Sequence, residues 1–76
     1  MSTKLEIGAT LPNGATLLGI NERGSYFIYL AQVADGEWAT WEARKDRPLA
    51  TYHGHYFRRL SEAATDHAAR SATDLL

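Results

Sequence analysis

The chain of 76 residues contains no cysteine, and this absence excludes several kinds of site at once. Disulfides, thiolate catalysis, zinc ribbons and iron–sulfur clusters all depend on cysteine. A domain this short also buries only about 60% of the surface that its unfolded chain exposes. Most of its apolar residues are therefore needed for the core, and little room is left for an enclosed substrate cavity.

Motifs of catalysis and of cofactor binding are missing as well. The sequence has no Gly-x-Ser-x-Gly elbow, no Gly-x-x-x-x-Gly-Lys-Ser/Thr loop and no Gly-x-Gly-x-x-Gly fingerprint. We therefore expect a protein that is not an enzyme and that binds no cofactor.

Long apolar runs are also absent. No stretch approaches the ~20 apolar residues that a membrane helix needs, and residues 1–6 lack the apolar segment of a signal peptide. We therefore expect a cytoplasmic protein without a membrane partner.

Charge of neither sign dominates, since eight lysines and arginines stand against nine aspartates and glutamates. The near-balance conceals a pattern along the chain. Acidic residues outnumber basic ones in 1–43 and in 60–76, whereas basic residues outnumber acidic ones in 44–59. Mixed signs of this kind are usual on a solvated surface with local ion pairs.

What the chain does contain is turn residues at regular intervals. Glycine, proline, asparagine and aspartate mark turns at 11–15, 21–24, 34–36 and 45–48. The segments of strand length are 4–11, 15–21, 25–33, 37–44 and 49–57, and Gly8 suggests a break or bulge in the first of them. Short loops between such segments indicate an antiparallel meander. Segment 25–33 is apolar at both alternating sets of positions, so we expect a central strand that is covered on both faces.

The last segment changes period and composition. Residues 61–75 are rich in alanine, the best helix former, and Ser61 is a good N-cap with Glu62 in the first turn. One face of this helix carries small residues, so the helix can lie close to a sheet. The sequence thus predicts a single α+β domain over 1–76: a four- to five-stranded antiparallel sheet with one C-terminal α-helix packed on one face.

Aromatic residues are concentrated in one part of the chain, between positions 26 and 57. Because one helix covers only one face of a sheet, we expect some of them to stay near solvent, where Tyr and Trp beside Arg are typical of a protein-binding surface. The alternative is that they pack as cross-strand pairs and only stiffen the sheet. The predicted partner-binding surface comprises Trp38, Trp41, Tyr52, His53, His55 and Tyr56, with Arg44, Lys45, Arg47, Arg58 and Arg59 at its rim.

Two histidines, His53 and His55, are two positions apart on a predicted strand, so their side chains would share a face and could bind Zn, Cu or Ni. A catalytic zinc needs a third protein ligand, which only a tertiary contact with His67 or Asp46 could supply. The pair equally fits an exposed polar sheet face. We therefore predict no metal site, with His53 and His55 as the candidates for one. His67 is expected to be a half-buried, hydrogen-bonded side chain on the inner face of the helix.

Two other functions fit the same residues. Aromatic side chains interleaved with the basic segment 44–59 could stack bases and contact phosphates, as in a nucleic-acid-binding accessory protein. A pI near 6.3 argues against this alternative, because nucleic-acid modules are usually basic. The second alternative is a homodimer that pairs through the aromatic face or through an edge strand.

The segments 38–41 (Trp-Ala-Thr-Trp) and 52–57 (Tyr-His-Gly-His-Tyr-Phe), followed by an alanine-rich helix, resemble small proteins of phages and proteobacterial mobile elements. The size, the lack of cysteine and the near-neutral charge resemble phage-encoded anti-CRISPR proteins. The resemblance implies an inhibitor that binds a bacterial CRISPR–Cas or other defence complex in the host cytoplasm and sterically blocks its nucleic-acid or nuclease function. In such a complex, Asp35, Glu37 and Glu42 are expected to pair with a basic nucleic-acid channel of the partner.

Overall fold

The computed structural model describes residues 5–72, which form one antiparallel sheet and one helix. The elements in chain order are β1 (Thr16–Arg23), β2 (Tyr26–Ala34), β3 (Glu37–Arg44), β4 (Thr51–Phe57) and α1 (Leu60–Ala72). The strands lie in the order β1-β2-β3-β4, and every neighbouring pair is antiparallel. The predicted α+β class, an antiparallel meander with a C-terminal helix on one face, is confirmed with four strands.

The prediction of a strand over 4–11 is wrong for the residues that the structure describes, 5–11. This segment makes one isolated bridge, between Thr10 and Thr16, and its chain turns at Gly8, where φ is 93°. Two hydrogen bonds still hold it beside β1: Gly8 N donates to Leu17 O at 2.7 Å, and Leu17 N donates to Ala9 O at 2.9 Å. A positive φ breaks the extended backbone that a longer ladder needs, which is why the segment stays irregular.

The other element bounds differ from the predicted ones by a few residues. β4 begins at Thr51 rather than 49, because Arg47 N donates to Arg44 O and Ala50 N donates to Arg47 O in two consecutive turns. The helix begins at Leu60, one residue before the predicted start, and positions 73–75 of the predicted helix lie outside the described residues. No helix within 5–72 is long and apolar enough to cross a membrane.

Most of the apolar core lies on the face of the sheet opposite α1. There the irregular segment before β1 covers the strands, since Leu11 and Ala15 pack against side chains of β2 and β3. The buried residues of this layer are Leu11, Ala15, Leu17, Phe27, Tyr29, Ala31, Ala39, Trp41 and Ala43. On the helix face, Ile28 is also fully buried. β2 is therefore covered on both faces, as its apolar pattern predicts.

The helix packs on the sheet with small and polar side chains. The buried residues of α1 are Ala63, His67 and Arg70. His67 Nε2 donates to the carbonyl oxygen of Ile28 at 2.8 Å, so the predicted hydrogen bond of this histidine is confirmed. Gly19 of β1 lies beneath this histidine, where an added Cβ would stand 3.4 Å from His67 Cε1, at ordinary van der Waals contact.

A bulge interrupts the pairing of β3 with β4. Thr40 pairs with His55 and Glu42 pairs with Tyr52, so two residues of β4, at 53 and 54, oppose Trp41 alone. The extra residue is accommodated by a φ of 55° at His53, the left-handed region that few non-glycine residues adopt. The bulge breaks the two-residue alternation on which side-chain directions in β4 were predicted.

Candidate partner-binding groove

A groove of about 290 Å³ lies on the helix face of the sheet, in the corner that α1 leaves open. The helix reaches β3 and β4 through Asp66 and reaches β1 through Ser71, whose hydroxyl accepts from Asn21 Nδ2 at 2.9 Å. The part of the sheet beyond these contacts, around Tyr26 and Tyr52, is exposed. The groove, called the aromatic groove below, is lined by Tyr26, Glu42, Arg44, Tyr52 and His53.

The strand register explains why these side chains meet. Tyr26 at the start of β2 is the direct partner of Arg44 at the end of β3, and Glu42 is the direct partner of Tyr52 on β4. Directly opposite residues of an antiparallel pair have Cβ atoms about 4.5–5.5 Å apart, so each pair forms one contact unit. Adjacent residues of a regular strand point to opposite faces, but the bulge lets His53 line the same groove as Tyr52.

The two tyrosines form the exposed aromatic part of the groove. Tyr26 is 36% exposed and Tyr52 is 44% exposed. Within residues 5–72 neither hydroxyl makes a hydrogen bond, so both are available to a partner. Rings of this kind combine a large apolar area with a polar tip, which is why tyrosine is common in interfaces.

Arg44 is held in place at the edge of the groove by Asp46. Its Nε and Nη2 atoms donate to the two carboxylate oxygens of Asp46, both at 3.0 Å. This forked hydrogen bond, together with the negative charge of Asp46, raises the pKa of Arg44 above its ordinary value, and Tyr26 and Tyr52 add smaller contributions. The guanidinium is therefore oriented by its own turn, with Nη1 making no bond within the described chain.

Glu42, at the floor of the groove, belongs to a polar cluster between sheet and helix. Its Oε2 atom lies 3.2 Å from Arg70 Nη2 and 3.5 Å from Arg23 Nη2. Arg23 Nη1 also donates to the Arg70 carbonyl at 2.9 Å, which joins β1 to the helix. Arg70 Nη1 donates to Thr40 Oγ1 at 3.0 Å and approaches the Thr40 carbonyl at 3.3 Å. The carboxylate is thus fixed in position and compensated by two cations.

A second polar contact joins α1 to β3 and β4. Asp66 Oδ2 accepts from Thr40 Oγ1 at 2.6 Å and from His55 Nδ1 at 3.0 Å. Burial opposes ionisation of Asp66, but the hydrogen bonds from Thr40 and His55 and the charges of His55 and Arg70 outweigh it and lower its pKa. His55 is therefore committed to holding the helix rather than to the aromatic groove.

Trp41 and Trp38 do not form one binding surface, and this part of the prediction is wrong. Trp41 is only 4% exposed and belongs to the core layer opposite the helix. Trp38 is half-buried on the other face, between Gln32 and Phe57 in the register. Residues an odd number of positions apart on a strand point to opposite faces, so the sheet lies between the two tryptophan rings.

Tyr56 and the two histidines are also distributed differently from the prediction. Tyr56 is 59% exposed, but its ring packs edge-to-face on Trp41, 6.0 Å away, on the face opposite the groove. His53 lines the groove, whereas His55 contacts Asp66, because the bulge shifts their spacing. No group of three or more His, Cys, Asp or Glu side chains within 5–72 is arranged to hold a metal ion.

The charged residues of the predicted surface are divided among separate places. Lys45 Nζ lies 2.7 Å from Glu22, while Arg47 is exposed in the turn before β4. Arg58 and Arg59 follow the opposite end of β4. The basic segment 44–59 therefore contributes charge at two ends of one strand instead of a single patch.

The acidic residues that were expected to face a basic partner are likewise not together. Asp35 and Glu37 lie at the β2–β3 turn, at the far end of β3 from Glu42. Glu42 is compensated by Arg70 and Arg23. A basic partner would therefore meet Asp35 and Glu37 at a different place from Glu42, and the pairing of these carboxylates with such a partner stays a prediction.

Sequence reasoning missed Tyr26 as a lining residue and missed the two arginines behind Glu42. The sequence places Tyr26 in the apolar strand 25–33 and among the aromatic residues between 26 and 57, and its position opposite Arg44 follows once the β2–β3 turn is placed at 35–36. The contacts of Arg23 and Arg70 with Glu42 join residues far apart in sequence. No local pattern signals them.

Comparisons with protein-family models, with curated proteins and with solved structures give no match to this chain.

Proposed function

We propose that the protein is a small binding module that recognises a protein partner through the aromatic groove. The observation that carries the proposal is the exposed pair Tyr26 and Tyr52 beside an arginine that Asp46 orients. Tyr and Arg are the residue types that dominate binding energy in interfaces. Both tyrosines stand on paired strands, so little conformational freedom is lost when a partner binds.

Following the resemblance to anti-CRISPR proteins, we propose an inhibitor of phage or mobile-element origin that occupies a surface of a bacterial defence complex. A domain of this size can block a nucleic-acid or nuclease surface by steric exclusion alone, without chemistry of its own. The proposal rests on the general likeness in size and charge and on the presence of an exposed aromatic surface.

The first prediction tests the groove directly. Tyr52→Ala is expected to weaken binding to a captured partner by about 30-fold, since truncation of an interface hot spot costs about 2 kcal/mol or more. Affinity capture from a bacterial lysate, mass spectrometry and titration of the identified partner give the measurement. Leu49→Ala is the matched control, because Leu49 is exposed in the neighbouring turn and does not line the groove.

Two results would contradict the proposal. One is equal affinity of the Tyr52→Ala variant and the unchanged protein. The other is loss of binding that accompanies loss of the folded circular-dichroism spectrum, since Tyr52 is exposed and its truncation is not expected to unfold the sheet.

Nucleic-acid binding through segment 44–59 stays the alternative proposal. Arg47, Arg58 and Arg59 are exposed and available to phosphates, but they stand at two ends of β4. Retention of single-stranded or duplex DNA or RNA that weakens steeply with salt would favour this alternative. Self-association is the other alternative, since β4 is an edge strand of the sheet, and light scattering would detect it.

A further inference from the structure

Residues 11–15, called the 11–15 turn below, contain the dipeptide Asn13–Gly14 at an exposed position of the chain. In such a dipeptide the backbone nitrogen of glycine can attack the side-chain amide carbon of asparagine. The five-membered ring closes most readily before glycine, because glycine has no Cβ to obstruct the approach. A Cβ added at Gly14 would meet no atom within 4 Å, so the protein leaves the space beside this residue open. Asn13 is therefore placed for spontaneous deamidation.

The hydrogen bonds of the turn involve the groups that would react. Asn13 Oδ1 accepts from Ala15 N at 3.0 Å, and Gly14 N donates to Leu11 O at 2.8 Å. Among the described residues, Asn13 Nδ2 has no hydrogen-bond partner, so nothing there holds the nitrogen that would leave. Gly14 N, in contrast, must give up its proton and its bond to Leu11 before it can attack. The folded turn therefore slows the reaction, and opening of the turn sets its rate.

The same turn covers the core on the face of the sheet opposite α1. Leu11 and Ala15, at its two ends, are buried and belong to one cluster with Ala31, Ala39 and Trp41. Leu11 N donates to Ala15 O at 2.8 Å, which closes the turn. Conversion of the asparagine between them to isoaspartate inserts one extra carbon into the main chain. The change thus lengthens a closed turn whose two ends are both fixed in the core.

We propose that Asn13 is a self-modifying site, which converts to aspartate and isoaspartate when the 11–15 turn opens, and that isoaspartate loosens the cover of the core. In the first step the bond from Gly14 N to Asn13 Cγ forms, the Cγ–Nδ2 bond breaks, and ammonia leaves with the proton of Gly14 N. Water then opens the succinimide at either of its two carbonyl carbons, which gives aspartate or isoaspartate. The turn covers the face opposite the aromatic groove, so the inference is independent of the proposed function.

The test incubates the full chain under mildly alkaline conditions and maps its peptides by mass spectrometry. We expect a mass gain of about 1 Da at Asn13, because a carboxyl group replaces an amide. The folded chain is expected to react about 5–30-fold more slowly than the same chain unfolded in guanidinium chloride, since one or two hydrogen bonds of the turn must open first.

Asn21 is the matched control within the same chain. It is the only other asparagine, it is followed by Glu22 rather than by glycine, and its Nδ2 donates to Ser71 Oγ at 2.9 Å. We expect no mass gain at Asn21 while Asn13 reacts. Asp35, which also precedes a glycine, can isomerise through the same ring without a change in mass, so the mass gain distinguishes the two sites.

Two substitutions test whether opening of the turn sets the rate. Leu11→Ala removes the buried anchor of the turn and is expected to bring the rate close to that of the unfolded chain, whereas Leu49→Ala, at an exposed leucine outside the turn, is expected to leave the rate unchanged. Leu11→Val, which removes less of the side chain, gives the same comparison should Leu11→Ala fail to fold.

The isoaspartate form, separated by chromatography, is expected to unfold at a lower denaturant concentration than the Asn13→Asp variant, which has the same charge without the extra main-chain carbon. Equal midpoints for these two forms would refute the loosening of the core. An Asn13 that stays unmodified in the folded chain, after the unfolded chain has reacted many times over, would overturn the proposal. Equal rates in the unchanged protein and in both Leu11 variants would overturn the role of the turn.

Discussion

Gly54 is the residue of β4 whose missing side chain matters most to the core. A Cβ at this position would stand 2.6 Å from Trp41 Nε1 and 2.9 Å from Trp41 Cδ1. Trp41 is buried and cannot move away without disturbing Leu11 and Ala15, which belong to the same cluster. The bulge in β4 therefore depends on glycine for space rather than for a positive φ.

Gly54→Ala is expected to destabilise the fold by about 1–3 kcal/mol, the usual cost of overpacking. Urea denaturation followed by circular dichroism measures it. The matched control is the same substitution in a Trp41→Phe background, where the smaller ring leaves room and the added cost should shrink. An equal cost in both backgrounds would show that contact with Trp41 is not the cause.

Tyr29 carries a buried hydroxyl that bonds to the turn before β4. It donates to the carbonyl oxygen of Pro48 at 2.6 Å, and burial raises its pKa from 10.0 to about 12. Because the folded-state pKa lies above the unfolded one, its contribution to stability is full below about pH 10 and is lost as the pH rises toward 12.

Tyr29→Phe is expected to cost about 1 kcal/mol at neutral pH, the net worth of one hydrogen bond. The variant should also lose less stability than the unchanged protein between neutral and strongly alkaline pH. Denaturant midpoints across that range supply the comparison, and parallel curves for the two proteins would contradict the assignment.

At the scale of the element, α1 is attached chiefly by polar contacts. Asp66 bonds Thr40 of β3 and His55 of β4, and Arg70 bonds Thr40 and Glu42. Such contacts depend on the charge state of the groups that make them, unlike the apolar layer on the other face. The attachment of the helix therefore depends in part on the ionisation of Asp66, whose pKa its hydrogen bonds with Thr40 and His55 lower.

Asp66→Asn is expected to destabilise the protein by about 1 kcal/mol at neutral pH, since the charged hydrogen bonds are partly open to solvent. The folded-state pKa of Asp66 lies below its ordinary value of 3.8, so the stability it supplies is present above that value and is lost as the pH falls through the lower, folded-state pKa. Thermal melts at neutral and acid pH measure the difference. If the stability gap between the two proteins stayed constant with pH, the carboxylate would not be the source.

At the scale of the whole molecule, periodicity and turn residues predict the sheet and its helix well. The alternation in 25–33 and 37–44 and the glycine at Gly36 determine β2, β3 and their connection, because these are local features. The prediction of a strand over 4–11 is wrong because the backbone turns at Gly8, although the composition of the segment is typical of a strand. The sequence predicts part of the groove, because the residue types of Arg44, Tyr52 and His53 mark them as candidates for a binding surface. The bulge that places His53 beside Tyr52 depends on how β4 pairs with β3, and no local pattern predicts it.

The unequal covering of the two sheet faces has a consequence for motion. Detaching α1 would uncover mainly Ala63, His67, Arg70 and Ile28, while the layer around Tyr29 and Trp41 would stay closed under the segment before β1. We therefore expect native-state hydrogen exchange of α1 amides at a lower opening free energy than that of β2 and β3 amides, and equal values would contradict it. Local opening is therefore expected first on the helix face of the sheet, before the apolar layer on the opposite face is exposed.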